Sequence, residues 1–271
     1  MSAVGESQRA RDLLAAATPR RLALPERGVE IALLDFGGEG ADRSDRARPL
    51  ALAHHANGFC KGMWAEVAHA LRGELRVVAM DARGHGDSTR PEGPRAFGWR
   101  EFAGDAAAVA ERLVAETGAP LALGIGHSFG GTTLLGAAAA RPECFERLLL
   151  VDPVTPPPPE HRPPERAEHV QGLADAARRR RHDWPSRAEA RAWFAERSFF
   201  DGWTDVALDL YVADGLRTRA DGSVELKCPG AVEAAVFEQG ETLDLMTWTR
   251  DLAPPVLWLW ARHGNFPLPY Y

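Results

Sequence analysis

Residues 121–140 constrain this chain more than any other stretch. A short apolar run, Leu121-Ala122-Leu123-Gly124-Ile125, leads into Gly126-His127-Ser128-Phe129-Gly130 and then into a small-residue helical stretch, residues 131–140. A serine with a glycine two residues to either side forms the G-x-S-x-G elbow, in which the serine occupies a tight, strained strand-to-helix turn. The glycines are required because a Cβ at either position would crowd neighbouring backbone in so sharp a bend. Ser128 would then stand at a helix N-terminus, where unpaired N–H groups can hold developing negative charge. The pentapeptide alone also arises by chance; a strand before it and a helix after it give it meaning.

Other segments alternate in the same way. Residues 29–36 read as a first strand and residues 50–54 as a buried strand that runs into His55-Ala56-Asn57-Gly58-Phe59. A helix is expected over about 63–71, and a further strand over 75–80 that ends in Asp81-Ala82-Arg83-Gly84-His85-Gly86-Asp87-Ser88. Residues 99–116 place Phe102, Ala106, Val109 and Leu113 at helical spacing, and residues 148–151 form another buried-type strand before Asp152-Pro153. Such alternation predicts a parallel sheet covered on both faces. The pattern breaks at the proline-rich residues 153–164, beyond which residues to about 250 read as mostly helical, with many aromatic positions. Some of these aromatics are expected to line an apolar pocket, the rest to be core. Sheet character returns at Val256-Leu257-Trp258-Leu259-Trp260, eleven residues before the last residue. Residues 1–21 are expected to be a loosely helical, flexible tail.

With 271 residues, 45% hydrophobic and 26% charged, the chain can build one large α/β domain with an insertion. Its net charge of -6 carries no footprint for nucleic acid, and no apolar stretch has the length of a membrane span. Cys60, Cys144 and Cys228 are widely spaced without a C-x-x-C, so neither a disulfide framework nor a zinc site is indicated, and a reducing, cytoplasmic setting is expected. Lys61 and Lys227 are the only lysines among many arginines, a skew attributed to genome base composition.

Three segments in this order, the 55–59 loop, the 81–88 loop and the elbow at Ser128, resemble the α/β-hydrolase family over nearly the whole chain, from about residue 22 to 267. The resemblance implies a mostly parallel, doubly wound sheet of the α/β-hydrolase type. Residues 22–154 and 251–271 would form its core, residues 155–250 a helical cap inserted in it, and its C-terminal strand and helix would be missing. It also implies a triad in the order Ser, acid, His. Ser128 would be the nucleophile, and the oxyanion hole would draw one N–H from Phe129 and one from Asn57, with Gly58 as the alternative. Asp152, ending the strand before the cap, would be the orienting acid in place of the usual position, which here reads Ala261-Arg262-His263-Gly264-Asn265; the bland role for Asp152 is a turn residue. The 81–88 loop is expected to be structural.

No histidine is a good base by this reading: His263 has the right order but follows its strand immediately, and His54, His55, His85 and His127 precede the serine. The implied activity is hydrolysis of a small ester or related acyl substrate, with no metal or organic cofactor and a small molecule as partner, impaired by loss of the histidine segment. The rival is a non-catalytic pseudo-hydrolase that binds a small apolar ligand or a partner, and acyl transfer to a nucleophile other than water is a third reading. Serine at the elbow, rather than aspartate, argues against the dehalogenase and epoxide-hydrolase chemistries. Oligomeric state is left open.

Overall fold

A seven-stranded, mostly parallel sheet organises the chain, in the spatial order β1-β2-β4-β3-β5-β6-β10. The computed structural model describes residues 8–37, 48–240 and 243–261. Its strands are β1 (Thr18–Leu24), β2 (Val29–Asp35), β3 (Leu50–His54), β4 (Arg76–Met80), β5 (Leu123–His127), β6 (Leu148–Val151) and β10 (Val256–Leu259). Antiparallel pairing joins β1 to β2 and β2 to β4; all other pairs are parallel. The expected doubly wound sheet is therefore present.

Side chains alternate between the sheet's two faces, and each face has its own helical cover. Leu33, Leu52, Val78 and Leu150 pack with Phe102, Val109 and Leu113 of helix α3 (Trp99–Thr117) and with Leu134 and Ala138 of α4 (Phe129–Ala140). Ala51, Ala53, Val77, Ala79 and Ile125 face the other way, onto Trp64 and Ala68; the latter lies in α2 (Ala65–Leu71). Helix α4 is buried nearly all round, which its run of alanine, glycine and leucine allows. Strand β5 begins two residues later than the apolar run suggests, because Gly124 and Gly126 pair in register with Leu52 and His54 on one side and with Leu148 and Leu150 on the other.

One expectation is corrected. Residues 8–21 are not a loose tail: α1 (Gln8–Ala15) buries Ala10 and Leu13 against Ala65 and Leu210, and β1 pairs along all seven of its residues with β2. The arginines and proline of β1 hide it as a strand, yet Arg20 is held there by Asp35 and Glu116, and proline is tolerated on an edge. The segment between β6 and β10 is mostly helical. Helices α5 (Glu165–Arg179), α6 (Arg187–Ala195), α7 (Asp205–Gly215), α8 (Gly230–Gly240) and α9 (Leu245–Trp248) share it with a small antiparallel sheet of β7 (Asp183–Trp184), β8 (Leu216–Thr218) and β9 (Val224–Leu226). Asp221-Gly222, between β8 and β9, is the hairpin signal that betrays it. Its aromatic residues form a separate core around Trp184, Phe194 and Tyr211.

On the edge strand β10, Leu257 and Leu259 remain 60% and 45% exposed, while Val256 and Trp258 pack inward. Among the described residues no helix is long and apolar enough to cross a membrane.

Candidate active site

The turn from β5 into α4 places Ser128 at φ 53°, ψ −123°, a conformation that few non-glycine residues adopt. The flanking glycines allow it. A Cβ on Gly126 would lie 2.4 Å from the Gly131 Cα, and one on Gly130 would lie 2.4 Å from the carbonyl oxygens of both His54 and His55. The elbow is thus pressed against the end of β3, which brings the 55–59 loop to it. The Ser128 amide donates to Val151 O at 2.9 Å, and the next residue along β6, Asp152, also has a positive φ of 47°. Its own amide donates to Leu259 O at 2.7 Å, so β10 fixes the strand end that carries the carboxylate.

The candidate oxyanion donors are placed as follows. Phe129 is the first residue of α4, so its amide has no partner within the helix. Among the described residues neither that amide nor those of Asn57 and Gly58 donates a hydrogen bond. The Asn57 carboxamide is held at both ends: Nδ2 donates to Glu233 O at 3.0 Å and Oδ1 lies 3.1 Å from His85 Nε2.

Three of the histidines near the elbow, His54, His55 and His85, have structural roles. His55 donates from Nδ1 to Ala56 O at 2.7 Å, and its Nε2 accepts the Ala82 amide at 3.0 Å, so no lone pair remains for a proton from serine. Burial drives its imidazolium form out, well below the ordinary pKa, with His85 and His54 adding repulsion. His54 and His85 are likewise pushed down to about 4 by desolvation. Both rings pack against Phe129. His127 is exposed beside the elbow, and His161, His169 and His182 are exposed on the insertion. Among the described residues no side chain hydrogen-bonds the Ser128 hydroxyl. His263 lies outside the described residues.

The 81–88 loop is a scaffold. Arg83 grips Asp105 with two bonds of 2.6 Å, and Ser88 Oγ donates to Asp81 O at 2.8 Å while accepting the Ala32 amide. Asp81 Oδ1 accepts the Lys61 amide, and Oδ2 accepts both Lys61 Nζ and the Asp87 amide, each at 2.8 Å. Lys61 Nζ also reaches Asp87 at 2.8 Å and Asp214 of α7 at 3.2 Å, and Lys227 binds Asp87 at 2.8 Å. The chain's two lysines thus converge on one carboxylate cluster that joins core to insertion. Desolvation alone would lower Lys61, but three carboxylates raise it above its ordinary range; against its own desolvation, Asp87 is held down to about 2 by Lys61 and Lys227.

A cavity of about 390 Å³ adjoins the elbow, bounded by Ala56, Phe59, Trp64, His127, Val151 and Trp203. Its wall is apolar apart from His55 and His127. Among the described residues no group of His, Cys, Asp and Glu is arranged to hold a metal ion.

Comparison with known proteins agrees with this architecture. The mouse sn-1-specific diacylglycerol lipase ABHD11 is 32% identical over 170 residues, which is 56% of this chain and 51% of that protein. Lipase LipV of Mycobacterium tuberculosis is 37% identical over 91 residues, 34% of this chain and 32% of that protein. The matches therefore span about half and about a third of those relatives. Among solved structures, E-2-(acetamidomethylene)succinate hydrolase superposes with a TM-score of 0.70 at 21% identity, covering 89% of this chain and 80% of that one. A thioesterase domain from the curacin biosynthetic pathway also gives 0.70 at 20% identity, covering 93% and 86%. At such identities the likeness is one of fold. The model of the alpha/beta hydrolase family matches residues 51–269, so it takes in the elbow, both loops and the last strand, and the chain belongs to that family.

Proposed function

We propose that this member of the family is a serine hydrolase of small ester or related acyl substrates. Ser128 is the nucleophile, Asp152 the carboxylate that orients the base, and the amides of Asn57 and Phe129 the oxyanion donors. The observation that carries the reading is the strained Ser128, which opens a helix whose first amide, that of Phe129, is unpaired among the described residues, and which is tied to the strand end that bears Asp152. Backbone strain of this kind costs on the order of 1–3 kcal/mol, persists only where the surrounding structure over-determines it, and clusters at active sites. Donors fixed in advance stabilise a tetrahedral oxyanion without reorganisation.

The apolar cavity beside the elbow favours an uncharged acyl or alcohol group, since an unpaired charge would be desolvated there. Two relatives named as lipases also act on esters, which supports the same substrate class. Neither a metal nor an organic cofactor enters this chemistry.

A second reading, a non-catalytic protein that binds an apolar ligand, is favoured by one observation: His54, His55 and His85 are all buried in structural roles, and the Ser128 hydroxyl has no partner among the described residues. A fluorophosphonate probe separates the two. An activated serine labels and a Ser128→Ala control does not; p-nitrophenyl acetate and butyrate report turnover. Absence of any Ser128-dependent labelling selects the second reading.

A further inference from the structure

Three residues of the insertion, Arg180, Tyr211 and Glu233, converge on the 55–59 loop. Glu233, in the first turn of α8, receives the Asn57 carboxamide on its carbonyl oxygen at 3.0 Å. Its carboxylate lies over Gly58, where an added Cβ would sit 2.9 Å from Glu233 Cδ. Gly58 has φ +80°, so it must be glycine both for its backbone and for this approach. Arg180, just beyond the end of α5, binds that carboxylate through Nη1 at 2.5 Å and donates through Nη2 to Tyr211 Oη at 3.1 Å. Tyr211 Oη in turn lies 3.4 Å from Gly58 O. From the core side His85 holds the other end of the Asn57 carboxamide.

The loop is therefore clamped between α5, α7 and α8 on one side and the 81–88 loop on the other. None of these contacts is needed to close the sheet, and none uses the Asn57 or Gly58 amide. Among the described residues those two N–H groups stay unpaired.

We propose that Arg180, Glu233 and Tyr211 are positioning residues that hold the 55–59 loop so that its amides point at the substrate oxygen that becomes the oxyanion when Ser128 attacks. The role rests on the nucleophile reading above. It makes the insertion part of the oxyanion hole rather than only a wall of the pocket. Displacing a donor by about an ångström is enough to lose about tenfold or more in rate, because the interaction is directional and matters only in the transition state.

The test uses the whole chain with Tyr211→Phe, which removes one hydroxyl at nearly constant volume, and Arg180→Met, which removes the guanidinium. Amide hydrogen exchange over residues 55–59 is expected to speed up about tenfold or more in both, with residues 123–140 unchanged. The maximum rate of fluorophosphonate labelling is expected to fall about tenfold or more, with the half-saturating probe concentration unchanged. Loss of stability alone would raise exchange everywhere and leave that kinetic split unmoved. Should Arg180→Met fail to fold, Tyr211→Phe still decides. Unchanged loop exchange, or faster exchange with unchanged labelling, overturns the positioning role alone. An unaltered chain that never labels at Ser128 overturns the nucleophile reading on which the role stands.

Discussion

Ser128 and Asp152 are the two non-glycine residues with positive φ among those described, and they stand at the ends of adjacent strands, joined by the bond from the Ser128 amide to Val151 O. Strain concentrated at two neighbouring residues, one a hydroxyl and one a carboxylate, is hard to assign to folding alone.

The strain at Ser128 should be measurable. Ser128→Gly relieves about 1–3 kcal/mol of backbone cost against about 0.5–1 kcal/mol of added unfolded-state entropy, for a net gain of roughly 1 kcal/mol in urea unfolding. Ser128→Ala keeps the Cβ and should stay within about 0.5 kcal/mol of the parent. A glycine variant less stable than the alanine variant would show that the elbow is relaxed.

Asp152→Asn separates catalysis from structure. Asparagine accepts the same backbone region, so stability should hold to within about 0.5 kcal/mol. An orienting carboxylate lost in this way should slow labelling of Ser128 by at least about 100-fold. Equal labelling would leave Asp152 with only its turn role.

Lys61→Met tests the junction between core and insertion. Lys61 is 3% exposed among Asp81, Asp87 and Asp214, and its removal leaves buried carboxylates without their cation. A loss of roughly 3–5 kcal/mol is expected, against about 1 kcal/mol for Lys227→Met, whose partner Asp87 is partly open to solvent and keeps Lys61. Chemical denaturation of the two variants gives the comparison, and equal losses would mean that the cluster is screened throughout.

Local pattern carried most of the core. The elbow, the buried strands and α3 follow from apolar runs and glycine placement, because each is set by residues close in sequence. What escaped depends on partners far along the chain. Arg20 makes sense in a strand only once Asp35 and Glu116 are beside it, and Lys61 and Lys227 are 166 positions apart yet bind the same Asp87. The Asn57 loop was legible from its place after β3, but its clamp was not, since Arg180, Tyr211 and Glu233 reach it from three separate helical regions. Asn57, Ser128, Phe129 and Asp152 all follow the C-terminal ends of the neighbouring strands β3, β5 and β6; no described histidine hydrogen-bonds the Ser128 hydroxyl.

Those histidines make a prediction of their own. Burial pushes His54 and His85 down to about 4 from an ordinary 6.5 and drives His55 well down too. Between pH 6.5 and 4 the unfolded chain binds these protons and the native one does not, so stability is present above 6.5 and is lost as pH falls through that window. A shift from 6.5 to about 4 corresponds to on the order of 3 kcal/mol per ring at 1.36 kcal/mol per pKa unit, which is a large share of a typical folding free energy. Burial also pushes Asp81 up to about 6 and raises Glu233; both work in the opposite direction, since the native state then takes up protons first. Comparing the parent with His54→Phe cancels those carboxyl contributions. The phenyl ring keeps the edge contact with Phe129 and removes an Nε2 that has no hydrogen-bond partner among the described residues, so the variant should be at least as stable at pH 5 and show a flatter decline from pH 7.5 to 4.5. Parallel urea-unfolding curves across that range would mean that His54 takes up its proton in the folded chain as readily as in the unfolded one.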